Sequence, residues 1–281
     1  MNAVHSFKTI KSDNAFYMED FEVMIMIMSA LSWRRLNGKI KLYADDEFAK
    51  YVYDNNLDFL WDNGIDLKIL SEPRENINRK IFWAASKMDV INDMKENEVH
   101  MDIDFVAWEK MDDVLNGDFD LIVSHFEDVN EFKCYVDKEI LVPPKDYVFN
   151  KNFDWNFPAI NTSFIMFKNK TAKDIFCKEC IRYMENNNTE LPDSAQMVFA
   201  EQRLTAMALK FKGMNIQTLS NVESCQNNTT NFTHLGGLKQ HMKLNHNAKE
   251  HFNLACANKL IKSFPEYVDK FKQINCLKKY F

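Results

Sequence analysis

The sequence runs to 281 residues, of which 46% are hydrophobic and 27% charged, with a formal net charge of −6 and six glycines. That apolar share is enough to fill the buried core of one large domain, and it excludes a disordered, collagenous or disulfide-stapled chain. The acidic balance leaves no electrostatic footprint for nucleic acid; with only Gly236 and Gly237 adjacent, the glycine-rich phosphate cradles of a Rossmann turn or a P-loop are excluded as well.

Along the chain, strand-like and helix-like segments alternate, the signature of an α/β domain. Residues 3–7 read as a first strand and residues 18–36 as a helix with Phe21, Ile25, Met28 and Leu31 on one face, stopped by Gly38. Residues 39–44 form a second strand, after which Asp45 and Asp46 can cap a helix over 47–55. Residues 65–70 read as a third strand, 77–94 as a helix, 99–104 and 119–124 as the fourth and fifth strands, and 160–167 as a sixth strand buried on both faces. Beyond residue 167 the composition turns helical, over 172–185, 195–211 and from about 248 onward. The expected organisation is one α/β domain over residues 1–247, with a mixed, mostly parallel sheet flanked by helices, and a helical C-terminal appendage over 248–281.

The longest uncharged apolar run, residues 23–31, is far shorter than the ~20 residues of a membrane span. The first twenty residues, with His5, Lys8, Lys11 and Asp13, lack the apolar block of a secretory signal. Six cysteines in a chain of this length form no disulfide framework, and Cys177 and Cys180 have no second pair that would make a zinc site, so reduced thiols in the cytoplasm are expected. The triplet Asn228-Thr229-Thr230 then reads as chance rather than a glycosylation site.

The sharpest chemical signal is His100-Met101-Asp102-Ile103-Asp104-Phe105-Val106-Ala107-Trp108. Side chains alternate along a strand, so two carboxylates one residue apart at its end share a side, and a divalent cation between them relieves their repulsion. Alone, the same triplet can be a polar strand end that caps the next helix. Far downstream, Thr233-His234-Leu235-Gly236-Gly237-Leu238-Lys239 offers an imidazole suited to Mn²⁺ and an ammonium suited to phosphate.

The first stretch resembles the D-x-D strand of metal-dependent GT-A glycosyltransferases, and the second is similar to the H-x-x-G-x-K segment of glycogenin-like and bacterial polysaccharide-type members. The resemblance implies a GT-A-like fold and a metal site of Asp102, Asp104 and His234 for Mn²⁺ or Mg²⁺. It further implies a nucleotide-diphosphate sugar held with the help of Lys239, Ser6 and Lys87, with Arg79 and Lys80 on the same basic helix. Ala159-Ile160-Asn161-Thr162-Ser163-Phe164 resembles the strand beneath the sugar, with Ser163 where a glycine is usual. For an inverting reaction Glu201 or Asp193 is the candidate base, since a carboxylate must take the proton of the acceptor hydroxyl; for a retaining one Asn161 or Gln202 steadies the sugar. The implied partners are a nucleotide sugar and a glycan or lipid-linked acceptor in bacterial surface-glycan synthesis, with peripheral membrane association allowed. Two rivals remain: a haloacid-dehalogenase-type phosphatase with Asp102 as nucleophile, and a sugar-binding protein with a degenerate glycosyltransferase fold and no catalysis.

Overall fold

The computed structural model describes residues 1–10, 15–72, 74–227 and 229–281; Lys11, Asp13 and the Asn228 triplet position lie outside them. In chain order the elements are β1 (Ala3–Phe7), α1 (Asp20–Leu36), β2 (Ile40–Ala44), α2 (Asp46–Asp54), β3 (Ile65–Asp66), α3 (Lys68–Ser71), α4 (Ala85–Asp93), β4 (Val99–Met101), β5 (Phe105–Ala107), α5 (Asp112–Leu115), β6 (Leu121–Glu127) and β7 (Ala159–Phe167). Then come α6 (Lys170–Met184), α7 (Ala195–Val198), a π-helical turn (Phe199–Leu204), α8 (Thr205–Phe211), β8 (Ile216–Thr218), α9 (Val222–Gln226), β9 (Phe232–His234), α10 (Leu238–Leu244), α11 (His246–Ser263) and α12 (Val268–Phe271). The chain divides into two compact units. The first takes residues 1–67, 101–111 and 230–281, and the second residues 68–100 and 112–229.

In the first unit the strands run in the order β3-β2-β1, all parallel, with Ala3 opposite Ile40 and Leu42 opposite Ile65. Helix α1 is apolar almost all round, so nearly every residue from Phe21 to Trp33 is buried. Its two small polar residues carry specific bonds: Ser29 Oγ donates to the Phe105 carbonyl and Ser32 Oγ to that of Ala107, which fixes β5 along the helix. A second, two-stranded ladder pairs β5 with β9 antiparallel, Phe105 facing His234. Asp45 caps α2 by accepting from Phe48 N. Gly38 has φ +142°, and a Cβ there would lie 2.2 Å from the Met1 carbonyl oxygen, so only glycine turns the chain from α1 into β2. The C-terminal segment belongs to this unit; the ring of Phe252 in α11 meets that of Phe21 edge-on at 5.9 Å.

In the second unit the order is β4-β7-β6-β8. Strand β7 is buried at all nine positions, as a strand covered on both faces requires, and its burial includes the polar run Asn161, Thr162 and Ser163 among the apolar residues. It runs antiparallel to β6, and β8 runs parallel to β6. Helix α6 is capped by the Asn169 side chain and buries Cys177 and Cys180 as free thiols. Seven strands, mostly parallel and flanked by helices, make a mixed α/β fold, the class that the alternating segments predict. No helix among the described residues is long and apolar enough to cross a membrane.

Three predicted elements differ. The strand expected over 65–70 ends after Asp66, and α3 takes over at Lys68. The helix expected over 77–94 begins only at Ala85, because the Asn78 side chain accepts from Lys80 N and holds the preceding segment in turns. Arg79 therefore lies off that helix, beside Asp89 at 3.7 Å. The strand expected over 99–104 stops at Met101, and residues 102–105 form a β-turn in which Phe105 N donates to the Asp102 carbonyl at 2.9 Å.

Candidate active site

The D-x-D carboxylates thus sit at the first and third positions of a tight turn between β4 and β5. The β5–β9 ladder brings His234, the register partner of Phe105, to the same place. One ligand atom each from Asp102, Asp104 and His234 lie within 4.8 Å of one another, a donor set of two hard carboxylates and one imidazole that fits Mn²⁺ or Mg²⁺. Asp104 is buried, and its Oδ2 is met by Lys239 Nζ at 2.8 Å, Gly236 N at 3.2 Å and His234 Nε2 at 3.7 Å. Burial alone would lower the Lys239 pKa; the charge and hydrogen bond of Asp104, joined by Asp102 and Glu22, hold it above its ordinary value instead. Gly236 has φ +44°, and a Cβ there would lie 3.3 Å from His234 Cε1, so the glycine lets the chain turn under the imidazole. Trp108 Nε1 donates to Thr233 Oγ1 at 2.8 Å and fastens the other end of the ladder.

A cavity of about 200 Å³ adjoins this cluster. Phe7, Phe16, Tyr17 and Met18 form its apolar wall, and Glu22, Asp104, Lys239 and Lys243 its charged rim. The β1 contribution is Phe7; Ser6, one residue earlier, is half-buried and opposite Tyr43. Beneath the turn, Trp61 Nε1 donates to His5 Nδ1 at 3.3 Å, which leaves the proton on Nε2 to reach Ser29 Oγ at 3.0 Å. Burial pushes His5 down to about 3 against the pull of Asp102 and Asp104, so its imidazole is neutral and serves as a positioning residue for Ser29 and the Phe105 carbonyl.

The second unit gathers the other predicted residues. Lys87 Nζ lies 2.9 Å from Glu201 Oε1 and donates to the Thr162 carbonyl at 2.6 Å, and Thr162 Oγ1 donates to the same Glu201 oxygen at 2.6 Å. Both charged side chains are almost wholly buried. Glu201 stands on the π-helical turn, a local widening common at functional sites.

Asn161 Nδ2 donates to Glu127 Oε1 at 2.7 Å, and the Tyr135 hydroxyl donates to Glu127 Oε2. The same hydroxyl lies 2.5 Å from Gln202 Oε1, so its one proton is shared between Glu127 and the Gln202 amide oxygen. Burial opposes the charge on Glu127, but bonds from His125, Tyr135 and Asn161 hold its carboxyl below the usual range. Sequence reasoning passed over His125, Glu127 and Tyr135. The only trace of the first two is a polar alternation at the end of an apolar strand.

The chain belongs to the family described as "Family of unknown function (DUF6734)", whose model matches residues 1–274. No curated protein matches the sequence. Solved structures similar to it include the glycosyltransferase GlyE of Streptococcus pneumoniae TIGR4, at 11% identity and TM-score 0.39 over 80% of this chain and 46% of that one. Mouse xyloside xylosyltransferase 1 is similar at 8% identity and TM-score 0.41, over 78% and 85% of the two chains. So is 4-diphosphocytidyl-2C-methyl-D-erythritol synthase of Anaerococcus prevotii DSM 20548, at 10% and 0.39, over 78% and 87%. The chain spans less than half the length of the GlyE structure.

Proposed function

We propose that this protein is a metal-dependent glycosyltransferase of GT-A type that moves a sugar from a nucleotide-diphosphate sugar to an acceptor hydroxyl on a glycan or lipid-linked carrier. The observation that carries the reading is the convergence of Asp102, Asp104 and His234, two sequence motifs more than a hundred residues apart, on one point. These three side chains would hold Mn²⁺ or Mg²⁺, which when bound neutralises charge on the leaving diphosphate. Lys239 turns from Asp104 toward the phosphates, and the aromatic wall of Phe7, Phe16 and Tyr17 offers a flat surface for the base. His5 keeps the turn in place without carrying charge.

In the second unit, Asn161 is the residue we assign to steadying the sugar, with Glu127 fixing its amide. Glu201 already accepts from Lys87 and Thr162, which favours a positioning role over that of a free base and so favours retention of configuration. Synthesis of a bacterial surface glycan on the cytoplasmic side of a membrane is the setting this reading implies.

The test is calorimetric titration with UDP-, GDP- and CDP-sugars, with and without Mn²⁺. Nucleotide binding that appears only with the ion and disappears in Asp104→Ala is expected. Binding indifferent to the ion, or no nucleotide binding at all, overturns the proposal.

A further inference from the structure

Helix α10 lies between Gly236-Gly237 and Asn245, and none of its described side chains is buried. Apolar burial therefore does little to hold it. Its links to the first unit's site are two ion pairs: Lys239 Nζ meets Asp104 Oδ2 at 2.8 Å, and Lys243 Nζ meets Glu22 Oε1 at 2.9 Å. Lys239 and Lys243 are one helical turn apart, about 6 Å along the axis, so both leave the same face of α10. Both line the cavity beside the aromatic wall. Glu22 is fixed from the other side, because its Oε2 accepts from Glu19 N at 3.0 Å in the capping box of α1. The two other acids at the start of α1 have cations of their own, Glu19 with Lys249 at 3.0 Å and Asp20 with Lys279 at 2.7 Å, and neither of those lysines lines the cavity. The Lys243 side chain is 48% exposed. A pair so open to water contributes little stability, and exchanging its carboxylate for another anion costs little. Three carboxylates, Asp102, Asp104 and Glu22, stand about the ion site and the cavity. A divalent cation together with Lys239 only neutralises them; Lys243 is the charge that turns the cavity positive toward a polyanion.

We propose that Lys243 is a second phosphate-binding residue, which with Lys239 forms a pair of ammonium groups on α10 that takes the two phosphates of a nucleoside diphosphate, one each. Glu22 is its resident partner, holding Lys243 at the cavity until a phosphate oxygen replaces the carboxylate. An ammonium with three donors on a flexible stem turns from one anion to the other without any change in the backbone. The pair selects a diphosphate over a monophosphate, since a single phosphate leaves one of the two lysines on its carboxylate. The inference rests on the glycosyltransferase reading for its ligand and on the two ion pairs for its residues.

The experiment titrates the full chain calorimetrically, with Mn²⁺ present, against UDP, GDP and CDP and the matching monophosphates. The diphosphate that the wild type holds most tightly, and its monophosphate, are then used on the variants. Lys243→Met is expected to weaken the diphosphate about tenfold and the monophosphate less than about threefold, while Lys243→Arg stays within about threefold of the wild type for both. Glu22→Gln keeps the capping box but releases Lys243, and is expected to tighten the diphosphate about threefold. An unchanged diphosphate affinity in Lys243→Met overturns the proposal, and so do equal losses for the two ligands. Weaker diphosphate binding in Glu22→Gln overturns it too, because the pair then serves only to hold the fold. If the wild type binds no nucleotide, the glycosyltransferase reading fails and this one with it; if the wild type binds and the variants do not differ from it, only the role of Lys243 fails.

Discussion

Lys239 Nζ lies 2.8 Å from Asp104 Oδ2, so one carboxylate oxygen of the proposed ion site already holds a protein cation. In Lys239→Met that buried carboxylate loses its counter-charge. A fully buried pair would cost about 3–5 kcal/mol to break; Lys239 is one-third exposed, so about 1–2 kcal/mol is expected. Mn²⁺ should restore more stability to the variant than it adds to the wild type, seen as a larger rise in Tm. Equal rises would mean that the ion and Lys239 do not share Asp104.

Asp104→Asn keeps the shape of the side chain and removes its charge. Nucleotide binding in the presence of Mn²⁺ should weaken about 100-fold, ~2.7 kcal/mol, in calorimetric titration. Gly236→Ala leaves all three ligands in place but sets a left-handed backbone and a methyl against His234, so about tenfold is expected from the same measurement.

Lys87 and Glu201 are a buried couple with 7% and 6% of their side chains exposed. Lys87→Met alone should cost about 3–5 kcal/mol in urea unfolding, because Glu201 is left charged and without its cation. Lys87→Met combined with Glu201→Leu should cost less than the sum of the single changes, and strict additivity in the double-mutant cycle would contradict the coupling.

The two perturbed histidines predict opposite pH slopes. His5 has a folded pKa of about 3, below the unfolded 6.5, so its contribution is present above pH 6.5 and is lost as pH falls toward 3. Relative to His5→Asn, the wild type should lose on the order of 3 kcal/mol between pH 6.5 and 4 in urea unfolding. His125 is raised to about 9, so its contribution is present below pH 6.5 and is lost as pH rises through 9. The difference between wild type and His125→Asn should shrink over that upper window.

The first third of the fold was legible because periodicity and caps agree there: β1, α1, β2 and α2 fall within two residues of where alternation, the Phe21 face and Asp45 put them. The D-x-D turn was not. Val99 to Asp104 looks like a continuous strand, and nothing local signals the Phe105 to Asp102 hydrogen bond that folds it. The metal-ligand candidates could be named because each sits in a compact motif. The pairing of Lys87 with Glu201 could not be, since two residues far apart on separate helical segments leave no spacing to read. His5 illustrates the same limit: burial and Trp61, both tertiary, decide its charge.

The short β5–β9 ladder also has a kinetic meaning. Asp104 and Gly236 are 132 residues apart in sequence, and the whole of residues 112–229 lies between the two strands. Such closure comes after local structure, and a slip of one residue in the ladder would turn His234 to the opposite face. An ion bound to Asp102, Asp104 and His234 would therefore find its site only in chains that have finished folding. It would act chiefly by slowing unfolding and leave the rate of folding nearly unchanged.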